Sequence, residues 1–219
     1  MLTLTLIQKL AVWSIPVLFA ITLHEAAHAW AASRLGDSTA KMLGRLSMNP
    51  LRHVDLIGTV IVPIVVGVLS NFNFIFGWAK PVPINWGRLN KPRRDMALVA
   101  AAGPLSNFIM CLMWAGCFKL ATHLNPQTSS IALFLLLTAQ AGILINLVLA
   151  FLNLIPIPPL DGSRVVESLL PPRLAATYLR IEPFGFIILL LLLITGALSW
   201  ILTPALNWSL YLLDALFRI

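Results

Sequence analysis

The chain has 219 residues, of which 59% are hydrophobic and only 11% are charged. Water-soluble globular domains carry about 25% charged residues, so this composition excludes a soluble enzyme. Several apolar runs are each long enough to cross a bilayer, and together they take up nearly the whole chain. We therefore expect a single integral membrane domain over residues 1–219.

The net charge of +7 comes from 15 Lys and Arg residues against 8 Asp and Glu residues. The basic residues lie in loops between apolar runs, where such residues anchor a membrane protein against anionic lipid headgroups. No RNA-binding signature accompanies them. The predicted partner of this charge is therefore the lipid bilayer, and no nucleic acid is expected to bind.

Length and hydropathy predict an all-α polytopic membrane protein with four continuous helical spans. The predicted spans run from about Lys9 to Arg34, Asp95 to Leu120, Ile131 to Asn153 and Pro183 to Thr203. The first run is read as a retained span and not as a cleaved secretory signal. The apolar tail from Pro204 is expected to form either a short further span or an interfacial helix.

The segments between the first two long spans are irregular. Within residues 36–49, polar and apolar side chains alternate over 40–48, a period typical of a half-exposed strand. We expect a small membrane-associated β-hairpin there, turning at Gly44. Residues 54–76 are interrupted by Gly, Pro and Asn and are expected to cross only weakly or to dip into the membrane, while residues 78–94 are expected to form an extended loop.

Loop charges predict the orientation, because Lys and Arg collect on the cytoplasmic side. Twelve of the 15 basic residues lie within residues 34–52, 80–94 and 164–180. All three loops are cytoplasmic only if residues 54–76 make a re-entrant or interfacial excursion. The loop 122–130, which has no Lys or Arg, then lies outside.

The clearest chemical motif is His24-Glu25-x-x-His28, near the cytoplasmic end of the first span. In a helix, positions i and i+4 share one face, so two imidazoles can bind one tetrahedral zinc ion. Glu25 projects about 100° around the helix, where it can act as general base on the metal-bound water. Both histidines lie roughly 9 to 15 Å below the level of Arg34 by helical rise, inside the hydrocarbon.

The alternative for this motif is that neighbouring helices satisfy three buried polar side chains. Burial of a carboxylate and two imidazoles in lipid is costly unless something partners them, which favours a metal. Catalytic zinc has three protein ligands and one open position, so a third ligand is needed.

Asp161 is the candidate third ligand because it follows the end of the Ile131–Asn153 span, at the same predicted face and depth. Pro156, Pro158 and Pro159 cannot continue a helix. The segment therefore unwinds, which is tolerated at this depth only where the backbone lines a protein or water cavity. The alternative is a helix end and turn in which Asp161 serves as a cap.

These residues resemble the site-2 protease family of intramembrane zinc metalloproteases, over about residues 10–165. The resemblance rests on three motifs in the family's order: His24-Glu25-x-x-His28, Gly103-Pro104-Leu105-Ser106-Asn107 and Asn153-x-x-Pro156-x-x-Pro159-Leu160-Asp161-Gly162.

The resemblance implies a three-helix catalytic core that binds one Zn²⁺ per chain through His24, His28 and Asp161. It implies that Glu25 is the general base and that Asn153 is a polar group near the scissile carbonyl. It also implies a membrane-associated β-sheet after the first core helix, in agreement with the hairpin predicted above.

Three further residues are lesser candidates. The resemblance makes Asn107 a supporting residue of the core. His53 and Asp55 are candidates for orienting a ligand or binding a second ion, the alternative being ordinary interfacial residues beside a turn. The loop around residues 77–85 is expected either to pair with an unwound substrate strand by β-addition or only to cover the site.

The chain looks like the compact branch of the family, without PDZ or CBS domains and without the span that precedes the zinc-binding helix in some members. We expect a single protease domain with a catalytic core at about 10–165 and C-terminal helices at about 183–219. The first span then starts outside the cell, and the active site faces the cytoplasm of a prokaryotic plasma membrane.

The predicted function is hydrolysis of peptide bonds within or next to the transmembrane helix of a protein substrate. The alternative is a membrane transporter or metal-sensing protein that uses the same ligands, which would need polar residues along several spans. The outer halves of the predicted spans offer almost none. A catalytically silent relative is disfavoured because it would have no use for Glu25, and the sequence predicts no oligomeric state.

Overall fold

The computed structural model describes residues 4–47, 49, 55, 58, 61 and 80–218. The helices within these residues are α1 (Leu6–Arg34), α2 (Thr39–Met42), α3 (Pro92–His123), α4 (Ser130–Leu154), α5 (Asp161–Leu169), α6 (Pro172–Leu179), α7 (Gly185–Ile194) and α8 (Ala197–Phe217). Two 3₁₀ turns lie at Trp86–Arg88 and Glu182–Phe184.

Four stretches of the described chain are long and apolar enough to cross a membrane, and they make this an integral membrane protein. They are Leu6–Arg34, Pro92–His123, Ser130–Leu154 and Pro172–Ile194. The first three correspond to α1, α3 and α4, which confirms the predicted spans there to within a few residues. The fourth stretch contains α6, a 3₁₀ turn and α7.

The centre of the fold is the packing of α1, α3 and α4 against one another, with α5 against α3. The buried face of α1 consists largely of alanines: Ala20, Ala26, Ala29, Ala31 and Ala32. Lipid tails are as apolar as leucine side chains, so helices associate in a membrane through close backbone approach and van der Waals contact. The alanine face of α1 therefore allows α3 and α4 to approach its polar residues.

Larger side chains pack farther along α3 and α4. Cys111 and Ala115 of α3 form one buried cluster with Ile143 and Leu147 of α4 and with Leu213 of α8. This cluster joins the C-terminal helix to the core, so α8 supports the two helices that carry the site.

The β-hairpin predicted over 40–48 is wrong for the described residues, where no strand occurs. Thr39–Met42 forms the single helical turn α2 instead, followed by a turn in which Gly44 has a positive φ of 66°. Ala40 points inward and packs with Ala29 and Val82, but Met42 is exposed, so the alternating apolar residues do not share one buried face. A period of two over so few residues does not distinguish a strand from a short turn of helix.

The continuous span predicted from Pro183 to Thr203 is also wrong. Gly196 adopts a left-handed φ of 77° and separates α7 from α8. Helix α8 then runs without interruption through Pro204, so the tail is not a separate element. The expectation that residues 54–76 dip into the membrane lies outside the described residues, except at 55, 58 and 61.

A buried carboxylate ties the extended segment 80–85 to the end of α1. Asp37 is fully buried, and its Oδ1 accepts hydrogen bonds from the Thr39 backbone N–H at 3.0 Å and from the Thr39 hydroxyl at 2.5 Å. Its Oδ2 accepts the Asn85 backbone N–H at 2.7 Å. Burial alone would raise the pKa of Asp37, but the hydrogen bonds from Thr39 and Asn85 and the charge of Arg88 prevail and lower it.

We predict that Asp37→Asn lowers the free energy of unfolding by about 1 to 3 kcal/mol at pH 7, because its amide NH₂ would face one of these donors. The carboxylate stabilises the fold above the unfolded-state pKa of about 3.9, and this contribution is lost as pH falls through the lower folded-state pKa. The difference between variant and wild type should therefore narrow only below about pH 4. Thermal unfolding in detergent measures this difference in stability. Asp214→Asn, at an exposed position, is the control.

Candidate metal centre

The two histidines of the first motif lie one turn apart on the buried face of α1. His24 and His28 are only 7% and 5% exposed. Their rings meet edge to face with centroids 4.7 Å apart. The i, i+4 spacing therefore gives the shared face that the sequence predicted.

Asp161 reaches these histidines because the chain reverses after α4. Helix α4 ends at Leu154, and α5 begins at Asp161 itself. A Cβ at Gly162 would lie 2.3 Å from the Leu154 carbonyl oxygen, so only glycine allows the two helices to meet this closely. The carboxylate lies at a helix N-terminus, where the helix dipole favours a negative charge.

The three side chains meet at one point. Asp161 Oδ2 lies 3.1 Å from His24 Nε2 and 3.2 Å from His28 Nε2. The two Nε2 atoms are 3.1 Å from each other. Among the described residues, these three form the cluster whose ligand atoms could hold a metal ion.

The outer ring nitrogens determine which atoms carry protons. His24 Nδ1 lies 2.6 Å from Asn107 Oδ1, and His28 Nδ1 lies 2.7 Å from the Val99 carbonyl oxygen. Both partners are acceptors, so each Nδ1 must be the donor. In the neutral imidazoles each Nε2 therefore carries a lone pair and no proton.

With both imidazoles neutral, three lone-pair atoms thus face one another, and Asp161 Oδ2 is buried without a hydrogen-bond partner among the described residues. The repulsion among the three atoms is removed by a cation between them, which is either a proton on one Nε2 or a metal ion. Ligand atoms about 2.0 to 2.1 Å from a tetrahedral zinc ion are separated by about 3.3 Å, close to the observed distances. Two imidazole nitrogens and one carboxylate oxygen also match the donor set of catalytic zinc.

Helix α3 provides the surface against which the imidazoles rest. A Cβ at Gly103 would lie 2.3 Å from His28 Nε2 and 2.6 Å from His24 Cε1. Any side chain at this position would therefore occupy space that the two rings need. The sequence identified Gly103 as part of a motif, and the structure gives the reason for the glycine.

Glu25 is half-buried, and its carboxylate contacts the extended segment 80–85. Its Oε2 accepts the backbone N–H of Val82 at 2.8 Å. Pro81 and Pro83 have no N–H, so Val82 is the one donor in this Pro-Val-Pro sequence. The hydrogen bond holds Glu25 in one orientation beside the histidines.

The remaining predicted residues lie in different environments. Asn107 is fully buried and contacts His24, as described above. The Asn153 amide donates to the Leu149 carbonyl of its own helix at 3.0 Å.

Asp55 accepts the Gly58 backbone N–H at 2.7 Å and is not part of the three-residue cluster. His53 lies outside the described residues.

Sequence reasoning missed three groups. The Val82 N–H and the Val99 carbonyl are backbone atoms, for which no residue type gives a signal. Asn146 was also missed, although a buried amide in an apolar span is a recognisable sign of a functional position. Its Oδ1 accepts from Asn107 Nδ2 at 2.9 Å.

Comparison with known proteins is consistent with this geometry. Residues 113–195 match the model of peptidase family M50. The chain is 40% identical over 196 residues to the Bacillus subtilis protein named "Putative zinc metalloprotease YwhC", covering 88% of this chain and 84% of the relative. It is 30% identical over 182 residues to "Putative zinc metalloprotease Rip2" of Mycolicibacterium smegmatis, covering 83% of this chain and 66% of that protein.

A similar match is found to Rip2 of Mycobacterium tuberculosis, at 26% identity over 83% of this chain and 66% of the relative. No solved structure matches. The residues matched by the family model include the Asn153–Gly162 motif. The family and the names of the relatives give the metallopeptidase class, which displaces the transporter and metal-sensor alternatives. The chain therefore belongs to peptidase family M50, the site-2 protease family of zinc metalloproteases.

Proposed function

We propose that this protein hydrolyses peptide bonds within or next to the transmembrane segments of membrane-protein substrates. His24, His28 and Asp161 bind one zinc ion, and Glu25 is the general base. The observation that carries the proposal is the meeting of two imidazole nitrogens and one carboxylate oxygen within 3.2 Å of one another, at distances and with donor types that fit zinc. Zinc supplies the Lewis acidity that lowers the pKa of water toward 7 and polarises a peptide carbonyl.

The residues of the chain have separate tasks in this mechanism. Glu25 takes the proton of the attacking water and delivers it to the leaving amide nitrogen, while the Val82 N–H keeps the carboxylate in place. Asn153 donates to the scissile carbonyl oxygen. Its amide bonds to Leu149 in the structure, so the side chain must rotate when a substrate binds.

The proposed orientation puts the site toward the cytoplasm of a prokaryotic plasma membrane. It follows from the positive-inside rule, since Arg34 and Arg164 flank the parts of α1 and α5 that carry the ligands. A substrate helix hides its carbonyls in intrahelical hydrogen bonds, so it must unwind before attack. Cleavage should therefore favour substrates with helix-breaking residues near the scissile bond.

We predict that the purified protein binds one zinc ion per chain and that His24→Ala lowers zinc affinity at least 100-fold, because it removes one of three ligands. The matched control is His123→Ala, at the exposed end of α3. Zinc content after dialysis measures the stoichiometry, and competition with a chromophoric chelator measures the affinity. Equal affinity for His24→Ala and wild type would remove His24 from the ligand set.

We predict that Glu25→Gln keeps stoichiometric zinc and lowers cleavage by about 10² to 10⁴-fold, because glutamine cannot accept the proton. Cleavage of a fluorogenic transmembrane peptide in detergent is the assay, and zinc is measured on the same preparation. Removal of zinc by a chelator should abolish cleavage, and added zinc should restore it. Wild-type turnover by Glu25→Gln would exclude this residue as the base.

We predict that Val82→Pro lowers kcat about tenfold and leaves zinc content unchanged, because proline removes the one N–H that holds Glu25. Val82→Ala keeps this N–H and removes only side-chain packing, so its loss should be smaller. Peptide cleavage and zinc content of the two variants give the comparison. Equal losses of kcat would show that packing, and not the hydrogen bond, accounts for the effect.

A further inference from the structure

A chain of buried amides extends from His24 to the interior of α4. Asn107 Oδ1 accepts from His24 Nδ1, and Asn107 Nδ2 donates to Asn146 Oδ1 at 2.9 Å and to the Ala20 carbonyl at 3.2 Å. Asn146 Nδ2 in turn donates to the Gly142 carbonyl at 2.8 Å. Asn107 and Asn146 are both fully buried.

Each link in this chain has one direction. The Gly142 carbonyl can only accept, so Asn146 must present its NH₂ to it and its oxygen to Asn107. Asn107 must then present its NH₂ to Asn146 and its oxygen to His24. The order of donors and acceptors is thus fixed from a backbone carbonyl of α4 to the imidazole of α1.

The direction of these hydrogen bonds determines which ring nitrogen of His24 carries the proton. A flipped Asn107 would place its oxygen against the Asn146 and Ala20 oxygens and would donate its NH₂ to His24 Nδ1. The proton of His24 would then move to Nε2, the atom that faces Asp161 and His28, and His24 could not bind a metal through it. The observed order excludes this arrangement, because a flip replaces two hydrogen bonds with two contacts between acceptors.

We propose that Asn146 is a positioning residue of the zinc site, which acts through Asn107 to keep the His24 Nε2 lone pair directed at the metal. This inference rests on the proposed zinc ligands. Partners that orient a metal-binding histidine typically contribute about 10- to 100-fold to metal affinity when they are removed. Asn146 is one step farther from the metal than such partners usually are.

The test compares Asn146→Leu with Asn146→Asp. Leucine has the same branching and the same number of side-chain heavy atoms but offers no acceptor to Asn107. An aspartic acid keeps an oxygen for Asn107, and in its protonated form its O–H also donates to Gly142. We expect Asn146→Leu to weaken zinc binding about 10-fold or more and Asn146→Asp to stay within about threefold of wild type.

A role in packing alone predicts the opposite order, because leucine is tolerated in an apolar span and a buried aspartate is not. Zinc affinity is measured by chelator competition, and thermal unfolding of the zinc-depleted proteins reports stability separately. Thr138→Val is the matched control, since Thr138 is buried two turns earlier on α4 and its Oγ1 has no hydrogen-bond partner within the described residues. If Asn146→Leu does not fold, Asn146→Ala removes the same acceptor without added volume.

His24→Ala distinguishes a failure of the proposed role of Asn146 from a failure of the proposed zinc ligands. Loss of zinc binding in His24→Ala, together with wild-type affinity in Asn146→Leu, would overturn the role of Asn146 and leave the ligand set intact. Unchanged zinc binding in His24→Ala would instead overturn the ligand set. Weak binding by Asn146→Leu with near-normal binding by Asn146→Asp would support the role of Asn146.

Discussion

The structure depends on one electrostatic constraint, which is that three electron-rich atoms share one small space in the core. His24 Nε2, His28 Nε2 and Asp161 Oδ2 lie within 3.2 Å of one another. In the low-dielectric interior of a membrane protein, such a cluster is stabilised by a cation, either a proton or a metal ion, and its donor set fits zinc. The two histidines and the aspartate are 137 residues apart at their farthest, so the fold of the core is what brings them together.

The rest of the core allows these three side chains to come close together. The alanine face of α1 and Gly103 of α3 remove the bulk that would keep the helices apart. Gly162 lets α5 start directly against the end of α4, which carries Asp161 into the site. The Asn107 amide and the Val99 carbonyl hold the outer ring nitrogens, so the inner nitrogens face each other and Asp161. Close helix packing therefore brings the three side chains together, and the hydrogen bonds at the outer nitrogens orient the two rings.

The sequence is most informative at positions where a polar side chain is costly to bury in lipid. Polar residues at membrane depth need a partner, so the sequence singles out His24, His28 and Asp161, and the structure brings these three side chains together. The long spans are also predictable, because a run of about 20 apolar residues is typical of a transmembrane helix. By contrast, the alternation over residues 40–48 was too short to separate a strand from the helical turn α2, and Gly196 divided an apolar run that hydropathy alone treated as continuous.

Other features had no signal in residue type. The Val82 N–H and the Val99 carbonyl act through the backbone, and only their position in space shows that they contact Glu25 and His28. Asn146 had a signal, since a fully buried amide in α4 is unusual, but its role depends on the direction of the hydrogen bonds around it.

The most direct test of the account is X-ray absorption at the zinc edge of the purified protein. We predict nitrogen and oxygen ligands only, at about 2.0 to 2.1 Å from zinc, with the multiple-scattering pattern of two imidazoles and one further light atom from a carboxylate. A sulfur scatterer at about 2.3 Å, or the pattern of fewer than two imidazoles, would contradict it.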